Sequence, residues 1–245
     1  MLDLNRRESA EALLRSPRSS ANAFEVTVER LGSAIKMGFF GPGEQLPTER
    51  ELCDLMGVSR TTVREAIRVL TVQGTLEVRR GRSGGTFVAR ELIRPSAKEL
   101  HKQVRRRSSS LLEILDHRLV VETGIAELAA ERARHEDSRR LVALATEMHD
   151  AEDDFSRYRT MDTQFHFMIA KTTGVGRLSN VLAEIHAELS DLMTMVPYSR
   201  DACSHSTLQH ERIAKAIASG NAAKARKEMR EHVLATASFL KGLLG

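Results

Sequence analysis

The sequence predicts a mainly α-helical protein in two parts: a small N-terminal helical unit ending in a β-hairpin, then an all-α helical bundle. Three observations carry this. Aromatic residues are only 4% of the chain and Trp is absent. The core must therefore be built from Leu, Val, Ile, Ala and Met, a supply that suits helices better than a β-sandwich. From about residue 98 onward the chain reads as helix after helix, with breaks at Gly174/Gly176, Pro197 and Gly220-Asn221. One stretch, 76–88, sets two short extended segments around a Gly-rich tip.

The elements follow in order. Residues 1–22 are polar and rich in Arg and Ser, the composition of a mobile arm. Over 24–38, Val28, Leu31, Ile35 and Met37 recur at helical spacing until Gly38-Phe-Phe-Gly-Pro-Gly43 stops the helix. Thr48 with Glu51 three residues on is a capping box, opening a helix to about Met56. Gly57 supplies a tight turn, Ser59 caps a helix from about Arg60 to Val72, and Gly74 ends it. Leu76–Arg79 and 86–88 flank Arg80-Gly-Arg-Ser-Gly-Gly85, closing a unit over 23–91. Residues 92–107 form a linker around Pro95 and a first connecting helix. The bundle, 108–245, is expected to place helices near 110–134, 137–151, 154–173, 177–195, 203–219 and 222–242.

Charge separates the two parts. The formal net charge of +4 is +7 over residues 1–107 and −3 over the remainder. A basic unit joined to a mildly acidic one suggests a polyanion-binding module beside a partner domain, although charge runs are also ordinary solvated helix faces. Other classes are excluded. With 41% hydrophobic and 29% charged residues the chain is not disordered throughout. Cys53 and Cys203 are too few for a disulfide framework and fit a reducing compartment. Apolar runs fall far short of the ~20 residues that span a bilayer, and the N-terminus has no long apolar core of the signal-peptide kind. The expected location is cytoplasmic, with no membrane partner.

Helix, Gly turn, helix and hairpin together are winged helix-turn-helix grammar. Ser59, Arg60, Thr61, Thr62 and Arg64 cluster at the start of the second helix, while Val63, Ala66, Ile67 and Leu70 form its core face. Arg forks onto guanine O6 and N7, and hydroxyls and helix-start amides serve phosphates. Arg50 could reach a backbone phosphate, and Arg79, Arg80 and Arg82 alternate with wing glycines that allow close approach to DNA. Taken singly, each Arg reads as an exposed side chain on an ordinary helical hairpin; together they point to double-stranded DNA.

The run Leu46-Pro-Thr-Glu-Arg-Glu-Leu, then Gly57-Val-Ser-Arg-Thr-Thr-Val-Arg-Glu-Ala, Gly74 and Arg79-Arg-Gly-Arg-Ser-Gly-Gly-Thr-Phe-Val, closely resembles the DNA-binding domain of GntR-family bacterial transcription regulators. The resemblance spans roughly 24–90. It implies operator contacts by Arg50, Ser59, Arg60, Thr61, Thr62, Arg64 and the wing around Arg80 and Gly81. It also implies a homodimer on a short palindrome.

Nine histidines must be sorted in the rest of the chain. His101, His135, His149 and His205 have polar surroundings and read as surface residues. His117, His166, His186, His210 and His232 lie on largely apolar faces. Asp162 and His166 share a face, and His210 and His232 sit on inward stripes of two further helices. A carboxylate with three imidazoles suits Zn²⁺, Ni²⁺, Mn²⁺ or Fe²⁺, and bundle interiors build such sites from facing helices. The alternative for each is a core histidine hydrogen-bonded to a neighbour, and His117 and His186 are left in that class. Convergence depends on helix packing, which spacing does not fix.

The helical region 98–242 resembles the FCD effector domain of FadR-type GntR regulators. Leu115-Asp-His-Arg-Leu-Val-Val-Glu-Thr-Gly-Ile-Ala-Glu-Leu-Ala-Ala is similar to its early helix. Asp162-x-x-x-His166, His210 in Gln-His-Glu-Arg-Ile and His232 in Met-Arg-Glu-His-Val match its metal-binding version. The resemblance implies those four residues as ligands of one divalent metal per chain, with Zn or Ni favoured. It implies Arg118 as the partner of a small carboxylate effector, through a bidentate fork. Read without the resemblance, Arg118 is a helix-surface ion pair with Glu122 at i+4. The chain departs from the family at Gly174-Val175-Gly176, where Gly-Asn is common, which puts effector identity in doubt.

The expected function is a ligand-responsive transcriptional regulator, a repressor by preference, and not an enzyme. A helical-bundle metal-dependent hydrolase with an attached DNA-binding domain is the rival; HExxH and Walker loops are absent. A third reading keeps the regulator and makes its metal purely structural.

Overall fold

Local capping sets the N-terminal elements. In the computed structural model, Thr48 Oγ1 accepts from the Glu51 amide at 3.3 Å while Glu51 Oε2 accepts from the Thr48 amide at 2.8 Å. This capping box starts α2 (Glu49–Met56), which Gly57 ends in the left-handed conformation at φ 63°. Ser59 Oγ accepts from the Thr62 amide at 3.1 Å and starts α3 (Arg60–Val72). Before them lies α1 (Ala23–Lys36), and after them the antiparallel hairpin β1 (Leu76–Arg79) and β2 (Gly85–Val88), in register Leu76↔Val88 to Arg79↔Gly85. The structure describes residues 10, 11, 14, 23–81, 84–90, 108–193 and 199–242, and only the backbone at 108–110, 191–193, 239 and 241–242. They fall into two units, Arg6–Ser96 and a second made chiefly of Ala97–Gly245.

The N-terminal core buries Leu31, Ala34 and Ile35 of α1 against Val63, Ala66, Ile67 and Leu70 of α3, with Leu52, Leu76 and Val88 closing it. Two features exceed the sequence expectation. The segment before α2 pairs with the wing: Leu46 N donates to Thr86 O at 2.8 Å and Val88 N to Glu44 O at 2.9 Å. Within the expected mobile arm, Ala10, Glu11 and Leu14 are helical, and Ala10 and Leu14 are buried, so these positions are packed. The rest of the arm, Arg82, His101, the 92–107 linker and helix, and the Pro197 break lie outside the described residues.

The C-terminal unit is α4 (Ser108–Arg132), α5 (His135–Glu147), a 3-10 turn (Met148–Ala151), α6 (Phe155–Thr172), α7 (Gly176–Met193), α8 (Arg200–Ala218) and α9 (Ala222–Gly242). Helix α4 is the hub, packing against α9, α7, α6 and α8. Leu111 and Leu115 meet Ile185, Leu189, Ala237 and Leu240 in one apolar cluster. Helix α6 is wrapped on all sides: every residue from 163 to 170 is buried, the pattern of a helix through a bundle interior. The single helix expected over 137–151 is instead α5 followed by the tighter turn. Among the described residues, no helix is long and apolar enough to cross a membrane.

His149 ties that turn to α8. Its Nδ1 lies 3.0 Å from Glu152 Oε1 and its Nε2 3.1 Å from Glu211 Oε1. The Glu211 hydrogen bond, aided by Glu152 and opposed by partial burial, raises the imidazole above its usual 6.5. A raised folded-state value stabilises most fully below the unfolded value, and the gain is lost as pH rises through the folded one. His149→Gln should therefore lower Tm more at roughly pH 5.5 than at roughly pH 8.5. The effect is small because the side chain is substantially exposed. Melting curves of both proteins at the two pH values check this; a gap that does not narrow would contradict the clamp.

Candidate functional site

The N-terminal unit leaves most of the residues expected to contact DNA accessible. Arg50, Ser59, Arg60, Thr61, Arg64, Arg80 and Gly81 are exposed and Thr62 is half-buried. Three carry internal duties as well. The Ser59 and Thr62 hydroxyls share a 2.9 Å hydrogen bond while capping α3. Arg64 Nε donates to Glu49 Oε2 at 2.7 Å. In the wing, the Arg79 guanidinium stacks 4.2 Å over the Phe87 ring and pairs with Glu77, which fixes its stem. Gly81 has φ 106°, and a side chain there would meet nothing within 4 Å, so its need for Gly is conformational.

The C-terminal unit brings the four expected ligands together. Asp162 and His166 come from α6, His210 from α8 and His232 from α9, and one donor atom of each lies within 4.8 Å of the others. The ring centroids of His210 and His232 are 4.5 Å apart, those of His166 and His232 5.1 Å. All three imidazoles are buried, while Asp162 is partly exposed. Helical spacing explains the α6 pair, since i and i+4 stack on one face. His210 is seated among Ile213, Ile217 and Phe165, whose ring centroid lies 4.6 Å from its own.

The electrostatics suit a cation. Burial drops His210 to about 3, against the pull of Asp162. Burial, then His210 and His166, holds His232 well below its usual value. Both rings are thus neutral, with lone pairs to offer. His166 Nε2, both nitrogens of His210 and His232 Nε2 are buried without a hydrogen-bond partner. His210 Nε2 lies 3.3 Å from Asp162 Oδ1, but outside hydrogen-bond geometry. Orphaned buried donors and acceptors each cost about 1–3 kcal/mol, so several sharing one spot is itself a departure from ordinary core packing. His232 Nδ1 meets Gln209 Oε1 at 3.1 Å, which assigns the proton to Nδ1 and leaves Nε2 as the ligand atom. The residues present fit a divalent transition metal.

Arg118 forms the i+4 pair with Glu122, but in the core rather than on a helix surface. It is 3% exposed, not a surface residue, and its Nε donates to Glu122 Oε1 at 2.6 Å. Burial opposes the charge on Glu122, but Arg118, then His166 and His186, hold its carboxyl well below the usual carboxylate range. Glu122 and His186 are the site residues that the sequence reading left aside. His186 is a hydrogen-bonded core histidine, as expected for its class, with Nε2 3.2 Å from Glu122 Oε1. His117, placed on an apolar face by the sequence, is exposed instead. His135, His149 and His205 are exposed as expected. Val175, at the turn between α6 and α7, is half-buried, and its amide donates to Thr173 Oγ1 at 3.1 Å.

Comparison with known proteins agrees with both units. Residues 24–88 match the bacterial regulatory proteins of the gntR family, and residues 113–235 match the FCD domain. The chain is 30% identical to the Uxu operon regulator of Haemophilus influenzae, over 86% of this chain and 81% of that one. It is 27% identical to the HTH-type transcriptional regulator LutR of Bacillus subtilis, over 85% of this chain and 96% of that one. Among solved structures, E. coli McbR/YncC shares the fold at a TM-score of 0.55 and 16% identity, covering 92% of this chain and all of that one. The matched domains are those of transcription regulators rather than enzymes. With a DNA-binding winged helix-turn-helix followed by an FCD domain, the chain belongs to the GntR family of bacterial transcription regulators.

Proposed function

We propose that this regulator is a ligand-responsive repressor acting in the cytoplasm. It binds a palindromic operator as a homodimer, and a small carboxylate bound near a divalent metal in the C-terminal bundle sets its operator affinity. The observation that carries the reading is the convergence of Asp162, His166, His210 and His232 within the same buried region as Arg118, whose charge is felt at three of those four residues. A metal held there supplies positive charge and open coordination positions for a carboxylate oxygen. Arg118 spends Nε on Glu122, and its terminal nitrogens are the fork for the other end of the ligand. A relative 28% identical, from Salmonella newport, is named an HTH-type transcriptional repressor, NanR, which supports the sign chosen here. On DNA, Arg60 and Arg64 are the base readers and Arg50, Arg80 and the cap hydroxyls the phosphate contacts.

A ligand shifts operator affinity only through unequal affinity for two arrangements of the protein. The test is a thermal-shift screen of sugar acids, hydroxy acids, dicarboxylates and amino acids on the metal-loaded chain, beside footprinting of the promoter region next to its own gene. A ligand at 100 times its Kd should stabilise by about 2.7 kcal/mol. That gain should vanish in His210→Ala, and a short palindrome should be protected. Stabilisation that survives His210→Ala would remove the effector site. Absence of sequence-specific protection would remove the operator reading.

A further inference from the structure

We infer that Glu122 is a positioning residue that joins Arg118 to the metal ligand His166, so that occupancy of the two is coupled through one carboxylate. The inference rests on the metal site proposed above. Glu122 Oε2 contacts His166 Nδ1 at ion-pair distance, outside ideal hydrogen-bond geometry. Glu122 Oε1 accepts from Arg118 Nε at 2.6 Å and lies 3.2 Å from His186 Nε2. All four side chains are buried. A carboxylate against Nδ1 holds the proton there, fixes the ring's orientation, leaves the Nε2 lone pair for a metal and makes the ring a stronger ligand. Gln209 does the first part of this for His232, but it is neutral. Among the described residues, Glu122 alone makes a hydrogen bond or ion pair to both a member of the ligand set and Arg118.

Glu122, His166 and His186 also gather closely enough to suggest a second metal site. Arg118 argues against it. Its guanidinium already sits at hydrogen-bond distance from the carboxylate, and a dication beside it would face a fixed positive charge in a poorly screened interior. The structure therefore assigns one metal per chain, with Glu122 behind it. An anion drawing on Arg118 changes how firmly Glu122 is held, and so how well His166 binds metal. By linkage, the metal changes anion affinity by the same factor.

The test uses the full chain and Zn²⁺ alone, with affinity measured by chelator competition. Glu122→Gln keeps size and an acceptor oxygen but loses the charge. It should weaken Zn²⁺ binding by about 10–100-fold and shift the visible spectrum of the Co²⁺-loaded protein, with far-UV circular dichroism unchanged. Arg118→Gln removes no ligand, yet should change Zn²⁺ affinity by at least about twofold, and the double variant should match Glu122→Gln alone. Glu122→Asp, which keeps the charge but draws it back, should fall between Glu122→Gln and the parent; it also stands in should Glu122→Gln not fold. Unchanged affinity and Co²⁺ spectrum in a folded Glu122 variant would overturn the inference alone, as would strictly additive effects or two Zn²⁺ per chain. A parent chain that binds no Zn²⁺ would overturn the metal site and the inference with it.

Discussion

Arg118→Ala should destabilise the C-terminal unit by about 3–5 kcal/mol, before any effector is considered. Arg118 and Glu122 are 3% and 1% exposed, and the pair sits at 2.6 Å. Removing the guanidinium leaves a buried carboxylate facing two histidines, and breaking a buried pair costs more than the pair contributes when intact. The depressed value of Glu122 gives the sign with pH. Its stabilising contribution is present above the unfolded value of 4.5 and is lost as pH falls through the folded one. The penalty of Arg118→Ala should therefore shrink under acid conditions, where Glu122 takes a proton. Urea denaturation of parent and variant at neutral and at acid pH measures both parts. A neutral-pH loss under about 1 kcal/mol, the range of an exposed pair, would contradict the buried assignment. With the expected loss of about 3–5 kcal/mol, lost ligand response in Arg118→Ala alone does not identify an effector contact.

Stripping the metal should produce the second large effect. A metal present at 1,000 times its Kd stabilises the native state by about 4.1 kcal/mol, so a chelator should lower Tm by several degrees in the parent chain. In His210→Ala the chelator should change little. That variant loses one of the four proposed ligands, and its metal affinity should fall by more than the about 10–100-fold attached to an outer-shell partner. Asp162→Ala and His232→Ala should behave alike, since each supplies one donor atom to the same cluster. Differential scanning calorimetry with and without EDTA reads this directly. Equal EDTA sensitivity of parent and His210→Ala would mean that the metal lies elsewhere.

How far the sequence shows these features depends on how local their causes are. Thr48, Glu51, Gly57 and Ser59 act within a few residues of themselves, and the helix starts they specify appear where expected. The pairing of Glu44 and Leu46 with β2 runs through backbone groups in a Gly- and Pro-interrupted segment, which leaves no alternation to read. Asp162 and His166 are joined by helical spacing, but their meeting with His210 and His232 depends on how α6, α8 and α9 pack. Glu122 shows the limit best. An i,i+4 partner for Arg118 reads the same on a surface or in a core, and the burial comes from α6 and α7, which bring His166 and His186 to it. His117 was misplaced for a related reason. Helix α4 carries apolar residues on several sides, with Val120 72% and Leu112 47% exposed beside Glu113, Asp116 and His117, so its outer face is only partly polar and does not mark itself.

The central claim is that the sensor's ligand state sets the reader's grip on DNA. The most direct measurement is operator affinity of the metal-loaded full chain by fluorescence anisotropy, titrated with the carboxylate that stabilises it in the thermal-shift screen. A clear change in affinity is expected, a weakening for a repressor released by its effector, that is absent in His210→Ala. Operator affinity that stays constant through saturation with that carboxylate would contradict it.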